Sequence, residues 1–84
     1  MNKQRREDLL EVCSLIDDAT TRLREIRDEE QEAYDNLPDS LQCSKTGESM
    51  QSAIEELDWF EFEIDKLRNG IEDFATPKRK PKPK

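Results

Sequence analysis

Carboxylates are the commonest reactive side chains in this chain, and the densest group lies at Asp28, Glu29, Glu30 and Glu32. General acid–base catalysis would need two carboxylates held together in a cleft that excludes water. The sequence has no histidine and two glycines, so it offers no Cys/His or Ser/His/Asp nucleophile, no Glu-x-x-His metal motif and no glycine-rich phosphate loop. We therefore predict a protein that is not an enzyme and that uses no cofactor, metal or small-molecule substrate. The acidic residues are then a solvated helix face.

The two cysteines, Cys13 and Cys43, give no sign of redox or metal chemistry. They lack the close spacing of a zinc site, and the helices predicted below place them too far apart for a disulfide. The apolar runs are too short for a signal peptide or a transmembrane helix. We expect a cytoplasmic protein whose cysteines are reduced.

Trp59 and Phe62 point to a different chemistry, the recognition of another protein surface. They lie one helical turn apart, on the far side of their predicted helix from its apolar seam. Tryptophan is among the residues most enriched at binding hot spots. We predict a protein-binding surface that uses Trp59 and Phe62 together with Tyr34 and Ile54. The alternative is that these side chains only lie along the surface.

The last eight residues of the sequence differ in character from the rest. They combine three prolines with five cations and no apolar side chain, which predicts a disordered basic tail over 77–84. Such an arm either binds nucleic acid or an acidic surface through counterion release, or serves only as a solubilising extension. The candidate nucleic-acid ligands are Lys78, Arg79, Lys80, Lys82 and Lys84.

The body of the chain has the opposite charge. Residues 1–76 hold all 21 acidic residues and nine of the 14 basic ones. A body this acidic repels nucleic acid, or imitates it by presenting carboxylates to a basic groove. Nucleic-acid binding through the tail and nucleic-acid mimicry by the body are therefore separate possibilities.

Apolar residues recur at alternating spacings of three and four in both halves of the chain, the heptad pattern abcdefg with apolar a and d positions. With Leu9 and Met50 at a positions, the first seam consists of Leu9, Val12, Ile16, Ala19, Leu23, Ile26, Glu30, Ala33 and Leu37. The second seam consists of Met50, Ala53, Leu57, Phe60, Ile64, Leu67, Ile71 and Phe74. Two such seams predict two long helices that pack on each other through a and d.

Local signals set the ends of these helices. Pro38 disfavours helix at the residue before it and has no amide hydrogen to donate. We predict a first helix over about 3–36, a connector over about 37–45 with one helical turn at 39–42, and a second helix over about 46–75. Ser44 or Thr46 can cap the second helix. Residues 1–76 then form one helical domain, followed by the tail.

The fold class that follows is all-α, an antiparallel, coiled-coil-like two-helix hairpin. Every apolar layer closes when Leu9 is set opposite Phe74. The same register predicts two ion pairs between the helices, Arg22 with Glu63 and Arg27 with Glu61. Because a two-helix hairpin buries its apolar residues only partly, we expect two copies to dimerise into a four-helix bundle.

One segment resembles a known group of sequences. It runs from Asp28 to Pro38 as DEEQEAYDNLP and continues through Ser40 to Gln42, Gly47, Glu48 and Met50, about a third of the chain. It is similar to a segment of small, uncharacterised helical proteins of bacteria, phages and mobile elements. That family has no established activity, so the resemblance implies a prokaryotic or phage setting and carries over no functional residue.

Two classes of function remain. The first is a non-enzymatic protein-binding module, such as a phage or mobile-element inhibitor or adaptor that acts on a host or defence protein. The second is a nucleic-acid-associated accessory protein that uses the basic tail, or a nucleic-acid mimic that uses the acidic body.

Overall fold

Two long helices lie side by side in the computed structural model, which describes residues 1–76. Helix α1 spans Lys3–Asp35, a single turn α2 spans Asp39–Gln42, and helix α3 spans Lys45–Ala75. These bounds lie within one residue of those predicted. The chain therefore forms the all-α hairpin expected from its two heptad repeats. The predicted disordered tail, 77–84, lies outside the described residues.

Capping residues begin both long helices. The Asn2 side chain accepts a hydrogen bond from the Arg5 amide at 2.8 Å, which satisfies one of the free N–H groups at the start of α1. Ser44 has extended backbone angles and accepts from the Gly47 amide, so Ser44 rather than Thr46 caps α3. Asn36 and Pro38 follow the end of α1, as the helix-breaking role of proline requires.

The turn between the helices is held by hydrogen bonds and by one close backbone approach. The Gln42 side-chain amide donates to the carbonyl oxygens of Tyr34 at 3.1 Å and Leu37 at 3.3 Å. A Cβ atom placed on Gly47 would lie 2.1 Å from the Gln42 carbonyl oxygen. Only glycine lets the first turn of α3 come this close to the end of α2. Residues 34–47 thus build the turn through their own backbone and side-chain contacts.

The two helices contact each other through their a and e positions. The best covered side chains in both helices are at e positions and most of them are small; they are Cys13, Thr20, Ile54 and Ala75 together with Gly47. The a residues, such as Ile16 and Leu57, are partly covered beside them. The prediction that the d positions also form this seam is wrong, because Val12, Ile26, Phe60, Leu67 and Phe74 are exposed. Small e residues let the helices approach closely on that side and turn the d side outward.

Ion pairs fix the antiparallel register of α1 and α3. Arg68 donates to both carboxylate oxygens of Asp17, at 3.0 and 3.2 Å, and its own helix supplies Glu72 as a second partner. Hydrogen bonds to Asp17 and Glu72 raise the pKa of the Arg68 guanidinium, so it stays charged at any physiological pH. A second pair joins Arg24 to Glu61.

The two predicted cross-helix ion pairs are absent from residues 1–76. Arg22 bonds Glu25 of its own helix at 3.0 Å, and Arg27 Nε lies 3.2 Å from Asp58 instead of pairing with Glu61. Both differences follow from the rotation of the helices toward their e positions, which brings Arg24 and Glu61 together.

The hairpin is a layer one helix thick. Its Cα atoms extend 58 × 29 × 14 Å, and the buried apolar residues among those described are only Cys13, Ile54 and Ala75. Neither long helix has a stretch of residues apolar enough and long enough to cross a bilayer within the described 1–76. Such a layer has one covered seam and two open faces.

Candidate protein-binding surfaces

An aromatic patch lies on the outside of α3. The Trp59 and Phe62 rings contact each other in a tilted arrangement with centroids 5.6 Å apart, and the Lys66 ammonium lies 5.4 Å from the Phe62 centroid. The two aromatic side chains are 55% and 54% exposed. Helical spacing places them one turn apart at positions c and f, as the sequence predicts. This aromatic patch, Trp59 and Phe62 with Lys66 beside them, offers two flat rings and one cation to a partner.

Tyr34 and Ile54 do not belong to the aromatic patch. Ile54 is only 8% exposed and Tyr34 is half-buried, and both line one shallow concavity between α1 and α3. The sequence predicts that Tyr34 and Ile54 share a surface with Trp59 and Phe62, whereas the structure places them between the two helices. Both occupy e positions, which the a/d assignment leaves outside the seam but which the hairpin uses to close. They stabilise the hairpin from inside.

A second exposed surface consists of the d positions of both helices, which we call the apolar strip. Its members are Val12, Ala19, Ile26 and Ala33 on α1, and Phe60, Leu67 and Phe74 on α3. Leu67 and Phe74 are 60% and 68% exposed, more than either ring of the aromatic patch. Scattered exposed apolar residues are ordinary, whereas a row of them along two helices is a candidate interaction surface.

The apolar strip borders a groove between the helices. One open concavity is lined by Leu9, Leu67, Gly70, Ile71 and Phe74, and the next along the hairpin by Leu23, Phe60, Ile64 and Leu67. Glu63 lines both, with the Lys66 stem beside the first. Both helices contribute a residues to this lining, and its d residues come from α3. This geometry suits a helix that packs side chains into it.

Sequence reasoning missed the apolar strip because it assigned the d residues to the hairpin seam. A signal was present at the e positions, where Cys13, Thr20, Gly47 and Ala75 are all small. A helix that has apolar or small residues at a, d and e has a face wide enough for two neighbours. Such a wide apolar face is typical of helices in bundles, whereas a contact between only two helices needs a narrower one.

The two faces lie on different sides of α3. Positions c and f are about 100 to 160° around the helix from position d at about 100° per residue. Contact at the apolar strip therefore leaves Trp59 and Phe62 accessible. The two surfaces can serve two partners at once.

The two cysteines lie in different surroundings. Cys13 is buried and its thiol donates to the Arg68 carbonyl oxygen at 3.6 Å, while Cys43 is exposed in the turn, and both are free thiols. Within residues 1–76, no three His, Cys, Asp or Glu side chains come together in a way that could hold a metal ion. The candidate nucleic-acid ligands Lys78, Arg79, Lys80, Lys82 and Lys84 lie outside the described residues.

Comparisons with protein-family models, with curated proteins and with solved structures give no match for this chain. The function is therefore argued from the surfaces themselves.

Proposed function

We propose that the protein is a non-enzymatic binding module that works as a homodimer, two hairpins in a four-helix bundle that present the aromatic patch to a partner protein. The observation that carries the proposal is the pair of exposed surfaces on different sides of α3, in a layer one helix thick. One surface serves self-association and the other serves the partner. The resemblance of the turn segment to proteins of phages and mobile elements supports a host or defence protein in a prokaryotic cytoplasm as that partner.

The aromatic patch has the composition of a binding hot spot. Trp59 and Phe62 are large, contact each other and stand clear of the hairpin seam, so the fold does not require them. Acidic side chains at Glu55, Asp58 and Asp65 lie on the same helix around the patch. These carboxylates favour a partner with an apolar pocket rimmed by basic residues.

The test is affinity capture from the native host with three baits. The first is the wild-type chain, the second is the variant Trp59→Gln/Phe62→Gln, and the third lacks residues 77–84. We expect the partner to be retained by the wild-type and tail-deleted baits. The double variant should lose about 2 to 4 kcal/mol of binding free energy, as hot-spot residues do.

A matched control lies on the same outer strip of α3, on either side of the patch. Ser52→Gln/Asn69→Gln changes two exposed uncharged residues at the same c and f positions. It should leave capture unchanged, and glutamine at all four positions preserves the helix. Equal capture by the wild type and by Trp59→Gln/Phe62→Gln would show that the aromatic patch does not bind the partner. A ligand lost only on tail deletion and identified as nucleic acid would favour the accessory function instead.

A further inference from the structure

The apolar strip is too apolar to be the solvent face of an isolated hairpin, and three kinds of occupant could cover it. The residues after Thr76 are proline, lysine and arginine, so this segment has no apolar side chain to place there. A foreign helix would need only one groove. The strip, however, continues the heptad spacing of both helices, over 12–33 on α1 and 60–74 on α3, which is what a second copy of the same hairpin would match.

We infer that α1 of one chain packs antiparallel on α3 of a second copy through the apolar strip, about a two-fold axis parallel to the helices. The inference rests on the proposed homodimer and specifies its helix pairing and register. Each helix then has two antiparallel neighbours, one of its own chain at the a and e side and one of the second copy at the d side. The result is an up-down-up-down four-helix bundle.

The register follows from the hairpin itself. Rotation about an axis parallel to the helices leaves every residue at its own height. The α3 helix of the second copy therefore meets α1 at the height at which α3 of the same chain does. The pairs Asp17 with Arg68 and Arg24 with Glu61 set that height. They place Ala19 within one residue of the height of Leu67, and Ile26 within one residue of the height of Phe60.

Apolar side chains meet at successive levels of this contact. Ala19 lies beside Leu67, Ile26 beside Phe60 and Val12 beside Phe74, and two-fold symmetry makes each pairing twice. In the same register Leu15 and Gly70, which flank the strip, lie level with each other.

The Leu15 side chain of one copy fits the open space beside Gly70 of the other. Leu15 is 62% exposed in the hairpin, and a Cβ added to Gly70 would meet nothing within 4 Å. Glycine in a helix interior lowers helix stability, so its presence here calls for a packing reason. Leu15 of the second copy supplies that reason.

The charges beside the strip support the same register at one level and oppose it at another. Arg22 lies level with Glu63, so opposite charges meet between copies at the middle of the bundle. Glu29 lies level with Glu56, so like charges meet nearer the turn, where they weaken the contact.

The area that a second hairpin would cover is adequate. At about 1.5 Å per residue the strip runs about 32 Å on α1, from Val12 to Ala33, and about 21 Å on α3, from Phe60 to Phe74; each helix is about 10 Å wide. The projected area is roughly 500 Å² per chain. The relief of the side chains raises this toward the ~800 Å² per partner of a stable interface.

Crosslinking of mixed chains tests the pairing. Two chains are prepared with Cys13→Ala and Cys43→Ser, one carrying Ala19→Cys and the other Leu67→Cys. A disulfide between the two different chains can only be intermolecular. We expect the mixture to give a covalent dimer under mild oxidation and each chain alone to give little, because the two copies of either position lie diagonally across the bundle. Crosslinks within each single preparation and none in the mixture would overturn the pairing.

A steric pair of variants tests the register. Gly70→Leu fills open space in the hairpin and improves helix propensity, yet it should raise the dimer dissociation constant at least about tenfold because it blocks Leu15 of the second copy. Adding Leu15→Ala should restore most of the affinity. Unchanged dimerisation in Gly70→Leu would overturn the inference. A dimer that behaves as expected but captures no partner through the aromatic patch would refute the proposed function alone.

Discussion

Gly47 shows at the scale of one residue how the turn is specified. Its position in the first turn of α3 brings backbone against backbone, with no flexible side chain that could move aside. Beside this glycine, the Gln42 side-chain amide donates a hydrogen bond to the Tyr34 carbonyl oxygen. A few residues therefore determine the conformation of the turn.

Replacing Gly47 by alanine should destabilise the hairpin by about 1 to 3 kcal/mol, because the added methyl overlaps the Gln42 carbonyl oxygen and the backbone must move. Urea unfolding followed by circular dichroism measures the change. The control Ser49→Ala, at an exposed position two residues further along the same helix, should lie within about 0.5 kcal/mol of the wild type. A Gly47→Ala protein as stable as the control would mean that α2 and α3 are not in contact at this point.

At the scale of the element, the sequence predicts which residues are helical better than it predicts which side of each helix is covered. Pro38, Ser44 and Asn2 act through the backbone of their neighbours, so their effects can be derived locally. The choice between an a/d and an a/e seam depends on which packing the two helices reach together. Ile54 and Phe60 illustrate this, since both are apolar at neighbouring heptad positions and only Ile54 is buried by the hairpin.

The outward d positions also explain which site residues sequence reasoning could identify. Trp59 and Phe62 lie far from either possible seam, so their exposure holds for both packings. Tyr34 is at an e position, which the a/e packing covers in part and the a/d packing leaves outside the seam. The structure places it beside Ile54 and away from the aromatic patch. The a/d pattern alone does not reveal the apolar strip, because its residues look like ordinary core residues unless the small e residues are recognised as the hairpin contact.

The helix pairing inferred for the dimer makes a prediction about Glu56. It lies level with Glu29 of the second copy, so Glu56→Lys should replace repulsion by attraction and lower the dimer dissociation constant by about two- to threefold. The control Glu55→Lys makes the same change of charge on the outer side of α3. Dissociation constants from a sedimentation dilution series should separate the two variants. Equal effects would indicate only a lower net charge and would count against the register.

At the scale of the whole molecule, the hairpin is a thin layer with three buried apolar side chains among residues 1–76 and a long apolar strip on one side. Small domains with so little interior usually gain stability from association. Dimerisation through the strip would convert exposed phenylalanine and leucine into a core, and it would leave both aromatic patches facing outward. Two copies would then present two equivalent binding surfaces to a partner.

Sedimentation equilibrium at micromolar concentration tests this account most directly, on the wild type, on the strip variant Phe60→Gln/Leu67→Gln and on the patch variant Trp59→Gln/Phe62→Gln. The chain mass is 9.9 kDa. We expect the wild type and the patch variant to have roughly twice that mass, and the strip variant to be monomeric with reduced helix content. A wild-type monomer that melts cooperatively, or a strip variant that remains dimeric, would contradict the account.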